Sequence, residues 1–226
     1  MSPSAEVSTM IKAAVLDMDG LMFDTETLVY EIWQDMMDRR GYDFSIEVYR
    51  HTVGKRKKEV ELFYLDRYGA DFPYWELADR CRSTYLERIA EDGLRVMPGL
   101  FELLDFLKEN RLKIALATST SRRTSELNLK ITGTAKYFDA LVCGEDVKNG
   151  KPDPEVFLTA ASRLGVAPEC CAAFEDSVNG ILSAYDAGMT TVMVPDYVQP
   201  TEELLPKISF LCGDLSESVE CLRPLI

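Results

Sequence analysis

The sequence predicts an α/β fold, a doubly wound parallel sheet with an inserted all-helical domain. From residue 97 onward, apolar runs of strand length alternate with amphipathic segments of about 8–12 residues. This alternation is typical of right-handed βαβ units and therefore of a parallel sheet. Residues 24–93, in contrast, contain no strand-like run, and the spacing of their apolar residues is helical.

The composition allows a sizeable core and excludes several classes of partner. Of the 226 residues, 46% are hydrophobic and 28% are charged, and the formal net charge is −13. A nucleic-acid binder needs a basic patch, and an anionic membrane would repel this charge, so we expect neither partner. The cysteines form no C-x-x-C pair, and residues 1–10 carry no apolar leader core. We expect a cytoplasmic protein with reduced thiols. A monomer is the default expectation for its oligomeric state.

The first strand candidate is the apolar run at residues 13–16, which ends in Asp-Met-Asp-Gly at residues 17–20. Four helix candidates follow it before the next strand candidate. They begin near Thr25, near Ser45, at the basic run of residues 55–58 and at Trp75. We assign residues 24–93 to a separate helical domain, and residues 11–23 and 94–226 to the core that carries the sheet.

The core segment continues with strands and helices in alternation. The remaining strand candidates are residues 113–117, 140–143, 170–174, 191–194 and 208–210. The helix candidates are residues 101–107, 124–131, 153–164 and 178–187, and a segment from Ser216. Asp153 is a candidate N-cap of its helix, because Pro154 suits the first turn and Gly165 the end.

Polar side chains follow four successive strand candidates. In chain order they are Asp17 and Asp19, then Thr118 and Ser119, then Lys151, then Glu175 and Asp176. Because parallel strands place their carboxyl ends at one edge of the sheet, we expect these groups to meet there. Carboxylate oxygens suit Mg²⁺, while threonine and lysine can bind phosphate oxygens. One aspartate can act as a nucleophile and another as a general acid and base.

Each of these features also has a structural explanation when it is taken alone. The Asp-x-Asp-Gly motif can be a solvated turn, Thr118 a helix cap and Lys151 a surface lysine. Residues 175–177 can form an N-cap. Their joint occurrence at successive strand ends favours one phosphoryl-transfer site over these separate explanations.

Four segments resemble, in order, the four motifs of the haloacid dehalogenase (HAD) superfamily. They are residues 17–20 (Asp-Met-Asp-Gly), Thr118 after an apolar strand, residues 150–154 (Gly-Lys-Pro-Asp-Pro) and residues 174–180 (Phe-Glu-Asp-Ser-Val-Asn-Gly). The resemblance covers the whole chain, including a helical insertion after the first motif. Phe-Asp-Thr-Glu at residues 23–26 makes the chain most similar to the β-phosphoglucomutase-like and sugar-phosphate phosphatase subgroup.

The resemblance implies a Rossmann-like core and a role for each matching residue. Asp17 looks like the nucleophile that becomes an aspartyl phosphate, and Asp19 looks like the general acid and base. Thr118, with its neighbour Ser119, and Lys151 look like the phosphate-binding groups. The implied cofactor is Mg²⁺, and its implied ligands are Asp17, Asp19 (through the backbone carbonyl), Glu175 and Asp176. The helical insertion looks like a cap that closes over the substrate.

The chain departs from the β-phosphoglucomutases within the helical insertion. Val29 stands where those enzymes carry a histidine, and Lys57 is the nearest counterpart of their phosphate-gripping arginine. With Thr25, these are the cap positions where we expect contact with substrate. The departures favour hydrolysis, so we expect a Mg²⁺-dependent phosphatase for a small phosphorylated metabolite, a sugar phosphate by class. The alternatives are a hexose-phosphate mutase and a non-catalytic binding protein on the same fold.

Overall fold

The structure, a computed structural model, describes residues 10–55 and 57–226. Residues 1–9, where no leader is expected, and Arg56 of the basic run lie outside the described residues. Within the described chain, six strands form one sheet in which every neighbouring pair is parallel. The strands are β1 (Ala13–Leu16), β2 (Lys113–Ala117), β3 (Ala140–Val142), β4 (Cys171–Glu175), β5 (Thr190–Met193) and β6 (Phe210–Leu211). Their order is β3-β2-β1-β4-β5-β6, which confirms the predicted doubly wound sheet.

Strands β1 and β4 lie at the centre of the sheet, and apart from Glu175 they consist of buried apolar residues. Leu16 pairs with both Leu116 and Phe174, so the carboxyl ends of β1, β2 and β4 lie level. Val15 packs into the apolar cluster on one face and Leu16 into that on the other. Because both faces are covered, polar side chains can reach water only at the strand ends.

Four helices follow β1 before the next strand. They are α1 (Thr25–Asp38), α2 (Ile46–Arg50), α3 (Lys57–Tyr68) and α4 (Tyr74–Asp92). Their apolar faces form a cluster of their own, in which Tyr64 is 1% exposed and its ring centroid lies 5.3 Å from that of Trp33. The two ends of this segment lie side by side, because the N–H of Asp24 donates to the carbonyl of Arg95 at 3.0 Å.

Five further helices cover the two faces of the sheet. They are α5 (Leu100–Glu109), α6 (Arg122–Ile131), α7 (Glu155–Leu164), α8 (Val178–Asp186) and α9 (Leu215–Leu222). Leu103 of α5 and Leu222 of α9 belong to the apolar cluster on one face. Phe157 of α7 and Ala184 of α8 belong to the cluster on the other. The sheet is therefore buried on both faces, and a site can form at the ends of its strands.

The ends of two helices differ from the predicted ones for local reasons. The sequence predicts Thr25 or Thr27 as a cap of α1, but both lie within the helix and Asp24 occupies the N-cap position. Asp24 makes no side-chain cap bond because its carboxylate pairs with Arg95 at 3.2 Å. Helix α7 begins at Glu155 rather than Asp153, although Oδ1 of Asp153 still accepts from the N–H of Glu155 at 3.0 Å.

The helices and the cysteines of the described residues bear on membrane insertion and on disulfide bonds. None of its helices combines the length and the apolar character that a bilayer crossing requires. All six cysteines are free thiols in the structure. Covalent cross-links therefore contribute nothing to the stability of the described residues, which rests on packing.

The apolar cluster of α1–α4 should depend on Tyr64 far more than on its neighbour Leu62. Tyr64 is 1% exposed, whereas Leu62 on the same helix is 55% exposed. We expect Tyr64→Ala to lower the free energy of unfolding by about 3–5 kcal/mol, because it leaves a cavity among aromatic rings. Leu62→Ala should change it by less than about 0.5 kcal/mol. Urea unfolding measures both, and equal effects would contradict the central position of Tyr64.

Candidate active site

Three buried carboxylates converge at the carboxyl edge of the sheet. Asp17 follows β1, Glu175 is the last residue of β4, and Asp176 comes next. One oxygen of each lies within 4.8 Å of the others, and the three residues are 7%, 0% and 6% exposed. We call these three residues the carboxylate triad. Carboxylates held so close, away from water, repel one another unless a cation compensates them.

Lys151 supplies one positive charge to the carboxylate triad. Its ammonium donates hydrogen bonds to Asp17 and Glu175, and to the carbonyl of Ala117 at 3.0 Å. Burial raises the pKa of Asp17 to about 8 despite the attraction of Lys151, and burial also raises the pKa of Asp176. Burial alone would lower the pKa of Lys151, but Asp17 and Glu175 hold it above its usual range. Three carboxylates share one ammonium, so the site is short of positive charge.

The donor atoms of the carboxylate triad fit a divalent cation that prefers oxygen. Mg²⁺ favours carboxylate ligands, and its two charges would offset what Lys151 leaves uncompensated. The triad contains neither the histidine nor the cysteine ligands that favour zinc. The charge deficit and the chemistry of the donors both favour a divalent cation that prefers oxygen ligands at this position.

Two glycines make room for the carboxylates. A Cβ at Gly20 would lie 2.4 Å from Oδ2 of Asp176, and the φ angle of Gly20 is +81°. A Cβ at Gly180, in the first turn of α8, would lie 1.8 Å from the carboxyl carbon of Glu175. A side chain at either position would therefore displace a member of the triad. This explains why two of the quoted motifs end in glycine.

Asp19 is held by a hydroxyl group that follows β2. Oγ1 of Thr120 donates to Oδ2 of Asp19 at 2.6 Å, and burial raises the pKa of Asp19. Thr118 is 1% exposed and accepts from the N–H of Thr120 at 3.1 Å, whereas Ser119 is exposed. Thr118 therefore lies inside the site and Ser119 at its surface. Sequence reasoning misses Thr120, because the hydroxyl run at residues 118–121 does not show which member faces Asp19.

Glu175 is fixed by the start of the helix that follows it. Its Oε2 accepts from the N–H groups of Asp176 and Ser177, each at 3.2 Å, and from the Ser177 hydroxyl at 3.0 Å. The same hydroxyl caps α8 by accepting from the N–H of Gly180 at 3.1 Å. Residues 175–177 therefore form a helix cap beside the triad, as the structural explanation predicts, and the functional roles of Glu175 and Asp176 stay predictions.

Side-chain hydrogen bonds join the helical segment to the core around the triad. The pairs are Asn179 to the Gly54 carbonyl at 2.7 Å, Asn128 to the Tyr85 hydroxyl at 2.9 Å, and Thr27 with Tyr197 at 3.0 Å. A cleft of about 270 Å³ lies between the two parts and reaches Asp176. Arg50, His51 and Lys55 line the helical side of this cleft. A protein of net charge −13 thus presents basic groups beside its acidic site.

The three cap positions expected to meet a substrate lie in different surroundings. Thr25 is 3% exposed, and its Oγ1 has no hydrogen-bond partner among the described residues. Val29 is half-buried and packs against the aromatic cluster of the helical segment. Lys57 is exposed at the start of α3. Their roles toward a substrate stay predictions.

Glu26 is a half-buried acid near the site, and sequence reasoning assigns it no role. It accepts a hydrogen bond from the hydroxyl of Tyr49 on α2. Burial, together with the nearby carboxylates of Asp19 and Asp196, raises the pKa of Glu26 to about 7. Residues 23–26 contribute to the family resemblance, but no local pattern predicts the surroundings of Glu26, because Tyr49 and Asp196 come from distant parts of the chain.

Comparison with known proteins finds likeness over most of the chain. The family model of the haloacid dehalogenase-like hydrolases matches residues 11–188. Phosphorylated carbohydrates phosphatase of Thermotoga maritima is 34% identical over 182 residues, which cover 80% of this chain and 84% of that protein. Hexitol phosphatase B of Escherichia coli is 33% identical over 187 residues, with 82% and 84% covered.

Solved structures show the same likeness in three dimensions. CbbY from Rhodobacter sphaeroides in complex with phosphate is 26% identical, with a TM-score of 0.78 over 92% of this chain and 96% of that chain. β-Phosphoglucomutase from Clostridium difficile is 27% identical, with a TM-score of 0.74 over 92% and 93%. At this coverage the similarity includes the helical segment as well as the sheet.

Gly180→Ala should destabilise the protein although alanine is the better helix former. An alanine for glycine in a helix gains roughly 1 kcal/mol, but here the new methyl group would overlap the carboxyl group of Glu175. We expect the free energy of unfolding to fall by about 1–3 kcal/mol. Gly150→Ala is the control, because a Cβ there meets nothing within 4 Å. Thermal unfolding measures both, and a more stable Gly180→Ala would contradict this packing.

The raised pKa of Glu26 predicts a pH dependence of stability. The folded protein binds the proton of the Glu26 carboxyl group more tightly than the unfolded chain does. The free energy of unfolding therefore falls as the pH rises from about 4.5 to about 7. We expect Glu26→Gln to raise the free energy of unfolding at pH 8, by up to roughly 3 kcal/mol, and to leave it unchanged near pH 4. Urea unfolding at both pH values tests this, with the exposed Glu87→Gln as control. A loss of stability at pH 8 would show that the Tyr49 bond outweighs burial.

Proposed function

Because this chain belongs to the haloacid dehalogenase-like hydrolase family, we propose that it is a Mg²⁺-dependent phosphatase of phosphorylated carbohydrates that works through an aspartyl phosphate. The observation that carries the proposal is the buried carboxylate triad around the ammonium of Lys151. Two relatives described above are named as phosphatases, one of phosphorylated carbohydrates and one a hexitol phosphatase, which supports the reaction and the substrate class.

In the first half of the proposed reaction, a carboxylate oxygen of Asp17 attacks the phosphorus atom. The bond between phosphorus and the sugar oxygen breaks as the bond to Asp17 forms. Asp19, in its protonated form and held by Thr120, donates its proton to the leaving oxygen. The products of this half are the free carbohydrate and an aspartyl phosphate on Asp17.

In the second half, water hydrolyses the aspartyl phosphate. Asp19, now a carboxylate, accepts a proton from water as the water oxygen attacks phosphorus. The bond between phosphorus and Asp17 breaks, which releases inorganic phosphate and restores the Asp17 carboxylate. Asp19 ends the cycle protonated, as it began, so one residue serves as acid and then as base.

The charge of the incoming phosphate must be balanced, because the site already holds three carboxylates. The ammonium of Lys151 can donate a hydrogen bond to a phosphate oxygen, and the hydroxyl of Thr118 is a second donor. Asp17, Asp176 and the backbone carbonyl of Asp19, together with Glu175, would hold Mg²⁺, and the ion would supply the remaining positive charge.

We assign residues 24–93 the role of a cap over the substrate. The cleft between this segment and the core reaches Asp176, so a substrate bound there would contact both parts. Closure at the hydrogen bond between Asn179 and Gly54 would limit the entry of bulk water. Thr25, Val29 and Lys57 are the proposed cap contacts of the substrate.

One position of α1 favours hydrolysis over phosphoryl transfer between sugars. A mutase must protect its aspartyl phosphate from water until a second sugar phosphate docks. The β-phosphoglucomutases carry a histidine at the position of Val29, and a half-buried valine offers no hydrogen bond for such gating. Water should therefore reach the aspartyl phosphate first.

Phosphate release from a panel of sugar and sugar-alcohol phosphates tests the proposal. We expect release by the wild type that stops when Mg²⁺ is chelated. Asp17→Asn should release none, because an amide is not a nucleophile here, and Asp19→Ala should lower kcat by about 10²–10⁴-fold. Asp186→Asn removes one exposed carboxylate on α8 and should keep the wild-type rate.

Three other outcomes would contradict the proposal in different ways. Full activity of Asp17→Asn would exclude the aspartyl phosphate. Isomerisation of a hexose phosphate on addition of a hexose bisphosphate, without phosphate release, would identify a mutase. Binding of sugar phosphates with neither reaction would identify a binding protein.

A further inference from the structure

Asp196 is a carboxylate near the site that the proposed mechanism does not use. It lies three residues beyond β5, which is the neighbour of β4, and therefore at the same edge of the sheet as the triad. Its Oδ2 has essentially no exposed surface and accepts no hydrogen bond from the described residues. A buried carboxylate oxygen without a donor is costly in free energy unless another group supplies one.

The position of Asp196 relative to the triad can be read from Gly20. The point at which a Cβ of Gly20 would lie is 2.4 Å from Oδ2 of Asp176 and 3.5 Å from Oδ2 of Asp196. The two oxygens therefore face the same small space. Asp196 does not belong to the group whose ligand oxygens lie within 4.8 Å of one another. Asp196 is therefore placed to bind a water ligand of a cation at the triad rather than the cation itself.

The loop that carries Asp196 is held from the helical segment. The hydroxyl of Tyr197 lies 3.0 Å from that of Thr27 on α1, and its ring centroid lies 6.0 Å from that of Tyr49 on α2. These contacts fix the backbone next to Asp196. Its carboxylate can therefore point toward the triad without a hydrogen bond of its own to hold it there.

We propose that Asp196 is a positioning residue for the cation, whose hydration shell donates a hydrogen bond to its Oδ2. This inference rests on the proposed function, since it takes the triad as the cation site. Mg²⁺ usually keeps several of its waters, and groups that bind such outer ligands typically change metal affinity by about 10–100-fold. The unsatisfied acceptor of Asp196 and the donors of a hydrated cation are complementary.

Metal binding without substrate tests this role. Mn²⁺ is titrated into the metal-free protein and followed by the electron paramagnetic resonance signal of the free ion, with Mg²⁺ as competitor. We expect Asp196→Asn to weaken binding of both ions by about 10-fold or more, and the exposed Asp186→Asn to bind as the wild type does. This readout does not depend on turnover.

Thermal unfolding separates positioning from a merely structural role. Without metal, Asp196→Asn should unfold at a higher temperature than the wild type, because it replaces a carboxylate whose Oδ2 is buried without a donor by a neutral amide that can donate. The rise of Tm on addition of Mg²⁺ should be smaller in the variant, because its affinity is lower. A fall of Tm without metal, together with unchanged affinity, would overturn the inference.

The outcomes also separate this inference from the proposed function. If the wild type binds neither Mn²⁺ nor Mg²⁺, the cation of the proposed function is wrong. If the wild type binds them and Asp196→Asn binds them equally well, only the role of Asp196 is wrong.

Discussion

The structure depends on holding three carboxylates out of water around a single lysine. Removing an ion from water costs several kcal/mol, and one ammonium offsets only part of this cost for three acids. The stability needed for this arrangement comes from the rest of the fold, where β1 and β4 are buried and helices cover both faces. A bound cation would relieve the repulsion and so favour the folded state. The same charges therefore link stability to the chemistry of the site.

Backbone geometry decides how closely these charges can approach. The parallel register brings the ends of β1 and β4 level, because Leu16 pairs with Phe174. Gly20 and Gly180 then leave the space that the carboxylates of Asp176 and Glu175 occupy. Strand register sets which residues meet, and the absence of two Cβ atoms lets them pack. Neither feature alone would assemble the site.

The sequence predicted those parts of the fold and the site that local pattern encodes. The alternation of strands and helices showed the sheet, and Asp17 and Glu175 stand directly beyond apolar runs. What it could not show are pairings across long separations. Thr120 matters because it meets Asp19, 101 residues away, and nothing in the hydroxyl run distinguishes it. Asp196 follows β5 at an unremarkable spacing, and only the folded chain brings it to Gly20.

The helical segment and the carboxylates are connected by charge as well as by contact. Glu26 on α1 is influenced by Asp19 and Asp196, while Tyr197, next to Asp196, contacts Thr27 on the same helix. Positive charge at the triad would weaken the repulsion that these carboxylates exert on Glu26. The contact between Thr27 and Tyr197 also joins α1 to the loop that carries Asp196. The helical segment is therefore linked to the charge of the site both through the carboxylate of Glu26 and through this loop.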